Sequence, residues 1–278
     1  MIGQAVGVPS SSVGDGGRLG ARRVYGYMWL RYKRTWRGTV TTSFLYPLLY
    51  LLAMGIGLGH LVDQHLASGG GLGRLGGITY VQFIAPGLMA ATAMQMGTNE
   101  ATYPVMRGVK WDRTYFAMIA TPIPVSHIQY GHLAWVATRL SMGAVVFLGI
   151  IAAFGDVRSA WALLAPACAV LTGLAFAAPM MAFAASQEND NAFTLVYRMA
   201  IMPLFLFSGT FFPIAQLPGW LQGLAVATPL YHGVDLCRGL VLGRLGLGSA
   251  LADIAYLLAL LAVGLIWGRH TYSKRLWQ

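Results

Sequence analysis

Long apolar stretches constrain this chain more than any other feature of its sequence. Six stretches each hold roughly 20 mostly apolar residues, the length that a helix needs to cross the hydrocarbon layer of a bilayer. They lie at about 39–60, 80–103, 126–154, 160–185, 192–212 and 249–268. Only 10% of the 278 residues are charged, whereas a soluble domain has about 25%. The sequence therefore predicts an all-α integral membrane protein with six transmembrane helices.

The length suits a single membrane domain over residues 18–278. Residues 1–17 are rich in glycine and serine and hold no basic residue, so we expect a disordered tail there. The first apolar run starts only near Thr39, too late for a cleaved signal peptide. Cys168 falls in a predicted span and Cys237 in a predicted external segment, so we expect neither a disulfide nor a cysteine metal site.

The distribution of basic residues predicts the orientation in the membrane. Thirteen Lys and Arg residues lie in residues 18–37, in residues 104–125 and in the C-terminal tail, and four lie on the opposite side. The positive-inside rule places the first group in the cytosol, and an even number of spans places both termini there. The net charge of +10 then indicates contact with anionic membrane lipids, and nucleic-acid binding is not expected.

Two segments flank the predicted spans without crossing. Residues 18–37 interleave seven basic residues with aromatic ones, which predicts an N-terminal interfacial helix on the cytoplasmic leaflet, or else a simple stop-transfer flank. Residues 213–248 are too broken by proline and glycine to cross the bilayer. We expect two short helices there, at 215–226 and 229–242, forming a re-entrant external hairpin between the fifth and sixth spans.

The basic loop between the second and third spans predicts a short amphipathic helix within residues 110–121. One apolar stripe is formed at helical spacing by Trp111, Tyr115, Met118 and Ile119. Asp112 and Arg113 lie off this stripe. Such a helix either lies against the protein's own bundle or docks in a groove of a cytosolic partner.

The sequence contains no recognisable motif for catalysis or for metal binding. None of the three lysines follows a glycine, so the chain lacks a Walker A motif for ATP. His127 and His132 are separated by about 140° on a helix, which prevents a joint metal face. His232 and Asp235 can share a helix face, but no second carboxylate is expected near Asp235. We therefore predict no catalytic residue and no metal site.

Three ionisable residues fall inside predicted spans, where each costs about 2.5–3.5 kcal/mol. They are Glu100, Arg139 and Arg198, all toward the cytoplasmic ends. We hypothesise an interhelical pair between Glu100 and Arg198, with Arg139 as an alternative partner and simple snorkelling as another explanation. No carboxylate lies in the middle of a span, which argues against a proton-coupled transporter.

Two stretches resemble the type-2 ABC transporter permeases, especially the branch that exports nodulation lipo-oligosaccharides and daunorubicin-like drugs. The first is SGTFFPIAQLPGWLQGLAVATPLYHGVDLCRGLVLG at residues 208–243, with its Ser-Gly, Phe-Pro and Leu-Pro pairs and then Pro229, Leu230, His232 and Arg238. The second is FIAPGLMAATAM with NEATYP at residues 83–104. Thr210 stands where a smaller residue is expected.

The resemblance implies a partner set and a role for each segment. Two permease halves, identical or homologous, would assemble with two cytosolic ATPase subunits that carry ATP and Mg²⁺, so this chain itself needs no cofactor. The 110–121 helix would be the coupling helix to the ATPase, with Trp111, Arg113, Tyr115 and Phe116. The second and fifth spans would line a translocation path with Met94, Gln95, Thr98, Phe205, Phe207 and Ser208. The external hairpin would rely on Gly209, Pro213, Pro218, His232 and Arg238.

These expectations combine into one function with two alternatives. We expect the permease subunit of an ATP-driven exporter in the bacterial cytoplasmic membrane, moving an amphipathic lipid-like or drug substrate. The main alternative is a polytopic membrane enzyme acting on lipid, which requires a carboxylate or histidine constellation at one membrane face. A non-transporting assembly subunit is the third interpretation.

Overall fold

The computed structural model describes residues 16–53, 57, 78–155 and 157–277, and these contain helices and no strand. The α-helices are α1 (Gly16–Leu51), α2 (Tyr80–Met106), α3 (Thr114–Ile119), α4 (Val125–Ala153), α5 (Ala165–Ser186), α6 (Asn191–Val196), α7 (Met202–Phe207), α8 (Gly219–Val226), α9 (Pro229–Leu242) and α10 (Leu247–Leu276). A π-helical turn, Arg107–Trp111, follows α2, and another, Tyr197–Ile201, joins α6 to α7. The tail expected at 1–17 lies outside the described residues except for Gly16 and Gly17, which begin α1.

Three helical segments among the described residues are long and apolar enough to cross a membrane. They are Val125–Ala153, Ala160–Ser186 and Leu247–Leu276, and a shorter apolar helix covers Asn191–Phe207. The expected first span at 39–60 runs partly outside the described residues. The second expected span, 80–103, lies within α2, which is not among these three segments. The described residues thus form an all-helical, membrane-type bundle.

Helix α5 lies at the centre of this bundle and contacts α2, α4, α9 and α10. Its small residues allow the neighbouring backbones to approach closely. A Cβ atom built on Gly97 of α2 would lie 2.4 Å from the Gly173 carbonyl oxygen of α5. One built on Gly264 of α10 would lie 2.4 Å from the backbone nitrogen of Pro179. Such contacts between small residues are a usual source of helix association in membranes.

Helix α1 corrects one expectation about the N-terminal region. It runs without a break for 36 residues, so the interfacial helix expected at 18–37 is not a separate element. No proline occurs between residues 18 and 46, and each of the three glycines there, Gly20, Gly26 and Gly38, costs only about 1 kcal/mol in a helix. Gly20 lies beside His127 and Tyr32 beside Arg139, so α1 packs along α4 in the same direction.

The bundle has two distinct ends. The basic end, as we call it, holds α3, the last residues of α2 and α10, and the start of α4. The hairpin end holds α8, α9 and the first residues of α2 and α10. Helix α9 covers the range expected for the second hairpin helix, and α8 begins four residues after the expected start of the first.

Candidate functional site

Tyr115 anchors the short helix α3 to the bundle at the basic end. Its side chain is 2% exposed, and its hydroxyl lies 2.7 Å from Nδ1 of His132 in α4. Its ring centroid is 6.0 Å from that of Tyr272 in α10. Burial raises the pKa of the Tyr115 hydroxyl, so the phenol stays neutral and its proton is available for the hydrogen bond. One side chain therefore links α3 to two long helices.

The π-helical turn before α3 makes room for this ring. A Cβ atom on Gly108 would lie 2.7 Å from two carbon atoms of the Tyr115 ring. Any larger residue at position 108 therefore forces the tyrosine to move. Arg113, which directly precedes α3, has a φ of 50°, and it is the one non-glycine residue with positive φ in the described part of the chain. A left-handed conformation strains an L-residue by about 1–2 kcal/mol.

The opposite face of this region is open to solvent. Trp111 is 49% exposed, Arg113 is exposed, and Phe116 is partly buried. A cavity of about 530 Å³ lies beside them and is lined by Val109, Lys110, Arg113, Phe116, Glu188 and Arg275. Of the four residues expected to contact an ATPase, three thus retain access to this face. Tyr115 alone is turned into the protein's own bundle.

Glu188 closes the far wall of this cavity. Its carboxylate pairs with the guanidinium of Arg275, and its backbone carbonyl accepts a hydrogen bond from Nζ of Lys110. The Arg275 guanidinium lowers the pKa of the Glu188 carboxyl. These contacts join the loop after α5 to both the turn before α3 and the end of α10.

Glu100 pairs with Arg139, the alternative partner, and not with Arg198. The Arg139 Nε atom lies 3.3 Å from Oε1 of Glu100, and the Arg139 guanidinium also sits 4.9 Å from the centroid of the Tyr32 ring. Tyr197 is the residue of its turn that faces α2, since its hydroxyl donates to the Gln95 carbonyl at 3.3 Å. Arg198, the next residue of this turn, is exposed, which explains why the expected pair does not form.

The residues expected along a translocation path fall into two groups. Met94, Thr98 and Ser208 have no exposed surface in this conformation, so they pack inside the subunit. Gln95 and Phe205 are partly buried and Phe207 is exposed. Ser208 is hydrogen-bonded to the Thr210 hydroxyl at 2.9 Å. Three of the six residues are therefore inaccessible in this conformation, and the translocation path stays a prediction.

Arg238 of α9 fastens the hairpin end. Its Nε atom donates to the Phe83 carbonyl of α2 at 3.0 Å, and Nη2 donates to the carbonyls of Gly209 at 2.8 Å and Thr210 at 3.4 Å. The guanidinium also lies 3.8 Å from the centroid of the Phe83 ring. One cationic side chain therefore holds together α9, the start of α2 and the turn after α7.

The turn held by Arg238 requires the glycine and prolines at their positions. Gly209 has a φ of 78°, a conformation that glycine adopts without strain. Pro213 directly precedes the 3₁₀ turn Ile214–Gln216, and Pro218 directly precedes α8. Fixed φ values and missing amide donors suit prolines to these starting positions.

A second contact of the hairpin was missed by sequence reasoning. His232 Nδ1 lies 2.6 Å from Oδ1 of Asp253 in α10, and the His232 ring stacks on Tyr256 with centroids 4.2 Å apart. Asp235 also lies beside Asp253, contrary to the expectation that it has no second carboxylate nearby, and burial together with that carboxylate raises the pKa of Asp235. No pattern links residues 21 positions apart, so the sequence carried no signal for this contact.

Apolar helices of spanning length, a short helix anchored at one end and a helical hairpin fastened at the other define a polytopic helical membrane protein. The sequence profile described as "ABC-2 type transporter" matches residues 23–242. The chain belongs to this family, which confirms the resemblance seen in its sequence.

Individual relatives agree with this family. Over 221 residues the chain is 33% identical to nodulation protein J of Rhizobium meliloti (strain 1021), covering 78% of this chain and 80% of that protein. Nodulation protein J of Sinorhizobium fredii is 30% identical over 251 residues, covering 87% and 92%. The inner membrane transport permease YadH of Escherichia coli (strain K12) is 24% identical over 221 residues, covering 79% and 80%.

Proposed function

We propose that this chain is the transmembrane subunit of an ATP-driven exporter in the bacterial cytoplasmic membrane. It would cross the membrane six times, with the basic end and both termini in the cytosol, as the positive-inside rule favours. A second permease half and two separate ATPase subunits would complete the transporter. Family membership and the transport permease among the relatives support this assignment.

The two-sided environment of α3 is the observation that carries the proposal. Trp111, Arg113 and Phe116 offer an accessible aromatic and cationic surface to a partner, whereas Tyr115 reaches into the bundle. A displacement of α3 by an ATPase would pass through Tyr115 to His132 of α4 and to Tyr272 of α10. ATP and Mg²⁺ would be bound by the partner, and this chain would supply the mechanical link.

The substrate path would form where α2 meets the Asn191–Phe207 helix and the second permease half. Gln95, Phe205 and Phe207 have accessible surface there. Met94 and Thr98 would join the path only when these helices separate. Such a surface is apolar with a few hydrogen-bonding groups, which suits an amphipathic lipid-like or drug substrate.

A membrane enzyme acting on lipid is the second candidate, and the His232, Asp253 and Asp235 cluster provides the constellation it requires. The packing of this cluster argues against catalysis. The imidazole is stacked on Tyr256, and the Tyr256 hydroxyl donates to the Ala227 carbonyl at 2.8 Å. These groups join the hairpin to α10, and we assign them that structural role.

Co-purification with an ABC ATPase encoded beside this chain tests the proposal. We expect a stable complex whose ATPase activity rises when the permease is present in liposomes. Trp111→Ala should lower that stimulation, and Trp161→Ala, at an exposed tryptophan outside the basic end, serves as the matched control. If no ATPase associates, or if both variants behave alike, the proposal fails.

A further inference from the structure

A second cavity at the basic end borders the Tyr115–His132 contact. It lies between α1, the end of α2, the start of α3 and the first half of α4, and its volume is about 280 Å³. Its walls are formed by Tyr27, Met28, Arg31, Tyr32, Thr35, Glu100, Tyr103, Pro104, Arg107, Thr114, Tyr115, His132, Trp135 and Arg139.

The charges around the cavity favour an anion. Three arginines and one glutamate line it, and the carboxylate of Glu100 is already paired with Arg139 at 3.3 Å. Arg31 and Arg107 are exposed at the rim, and neither forms an ion pair within the described part of the chain. Guanidinium groups bind phosphate through paired, charge-assisted hydrogen bonds. The site therefore has two cations available for a phosphate group.

The remaining wall is aromatic and held in place by packing. The Tyr32 ring lies 5.3 Å from that of Trp135, and Trp29 packs on Trp135 at 6.1 Å. Arg139 sits over Tyr32. Tyrosine and tryptophan are typical of the level where lipid headgroups meet the hydrocarbon layer, because one part of each ring is apolar and the other polar.

The volume of the cavity further limits the class of ligand that can bind. Pockets for drug-sized molecules measure about 300–1,000 Å³, and this one lies just below that range. It admits a phosphate-bearing headgroup but not an acyl chain or an oligosaccharide. The cavity also lies at the end of the bundle that the proposed function places in the cytosol, and its Tyr and Trp side chains are typical of the headgroup level.

We propose that this cavity binds the phosphate headgroup of an anionic phospholipid, with Arg31 and Arg107 as its ligands. Bound there, the headgroup bridges α1 and the end of α2, two elements that meet the coupling region. The orientation is taken from the proposed function, but lipid binding by the permease alone needs no ATPase. Failure of this inference is therefore distinguishable from failure of the transporter assignment.

Lipid binding to the purified full-length chain tests the proposal. Native mass spectrometry of the delipidated protein would be titrated with phosphatidylglycerol, with phosphatidylcholine and with soluble glycerol 3-phosphate. We expect phosphatidylglycerol to bind most tightly. Arg31→Gln/Arg107→Gln should weaken that binding by about tenfold or more, since a hydrogen bond to a charged group contributes roughly 1.5–3 kcal/mol.

The control variant removes the same number of positive charges at positions outside the cavity. Arg34→Gln/Arg269→Gln changes two exposed arginines that do not line the cavity, and it should leave phosphatidylglycerol binding within about twofold of wild type, as expected for surface charges screened by salt. Equal weakening in both double variants would reduce the effect to surface charge and overturn the proposal. Glycerol 3-phosphate binding as tightly as the lipid would overturn the membrane source of the ligand.

Discussion

The Tyr115 hydroxyl lies 2.7 Å from Nδ1 of His132, and the two atoms belong to a six-residue helix and a 29-residue helix. Both side chains are buried. A buried hydrogen bond of this kind transmits displacement because neither partner can turn to water when the other moves. The contact therefore couples movement of α3 to movement of α4, although most residues that flank α3 in the sequence are exposed.

Removal of that hydroxyl is the most direct test of the link. Tyr115→Phe leaves Nδ1 of His132 buried without its partner, which should lower the free energy of unfolding by about 1–3 kcal/mol. We also expect ATPase stimulation by the permease to fall. Thermal unfolding and the liposome ATPase assay measure the two effects. Tyr130→Phe, at an exposed tyrosine of α4, should change neither measurement. If Tyr115→Phe also changed neither, the proposed mechanical link through this hydrogen bond would be contradicted.

Gly108 offers an independent way to displace the same ring. Gly108→Ala places a Cβ atom 2.7 Å from the ring of Tyr115, and overpacking of this kind costs about 1–3 kcal/mol. We expect a lower unfolding temperature and weaker coupling. Gly149→Ala, where a Cβ atom meets nothing within 4 Å, should be neutral or slightly stabilising because alanine favours helix. Equal stability of the two variants would refute the steric argument.

Arg113 combines backbone strain with an exposed charge, and measurements of stability and of ATPase binding report on the two separately. Arg113→Gly should raise the free energy of unfolding by up to about 1 kcal/mol, since glycine adopts positive φ without penalty. Arg113→Asn tolerates the same conformation, and both variants remove the cation. We expect both to weaken binding of the ATPase, measured by co-purification at low and high salt. A drop in stability for Arg113→Gly would show that the strain is absent.

The Glu100–Arg139 pair predicts that removing the Glu100 charge lowers stability strongly, whereas removing the Arg198 charge does not. Glu100→Gln leaves the Arg139 guanidinium largely buried without its counter-ion, which costs about 3 kcal/mol or more. Arg198→Gln removes an exposed charge outside this pair and should be neutral. The exchange Glu100→Arg/Arg139→Glu should recover part of the lost stability in thermal unfolding. Recovery with Arg198→Glu instead would support the partner first expected from the sequence.

We expect that no other cationic residue can replace Arg238. Lysine cannot reach three carbonyl oxygens from two segments, so Arg238→Lys should cost at least about 2 kcal/mol. Hydrogen exchange of the 208–216 turn should accelerate, since its carbonyl partners are lost. Arg158→Lys, at an exposed arginine, is the control and should leave both measurements unchanged.

Local signals account for what the sequence predicted well. Helix α9 was bounded correctly because Pro229 suits a first turn, Thr228 caps it, and Gly243 ends it with a φ of 69°. The apolar stripe of the 110–121 segment located α3 in part, because Trp111 lies in the π-helical turn before it and is exposed. Both features depend on residues only a few positions apart, where helical geometry fixes the outcome.

Features that depend on the rotation of whole helices were not accessible from sequence. The choice between Arg139 and Arg198 as partner of Glu100 depends on which residue of each helix faces α2, and the sequence offered no way to decide. The contact between His232 and Asp253 joins two helices across a turn. The unbroken course of α1 was missed because the basic segment was read as an element lying flat on the membrane.

The three carbonyl oxygens held by Arg238 come from two segments that no covalent link joins locally. Partial outward movement of α9 breaks all of these hydrogen bonds at once. No new hydrogen bond replaces them until water reaches the guanidinium. The hairpin end should consequently open in a single step, with all three hydrogen bonds either kept or lost.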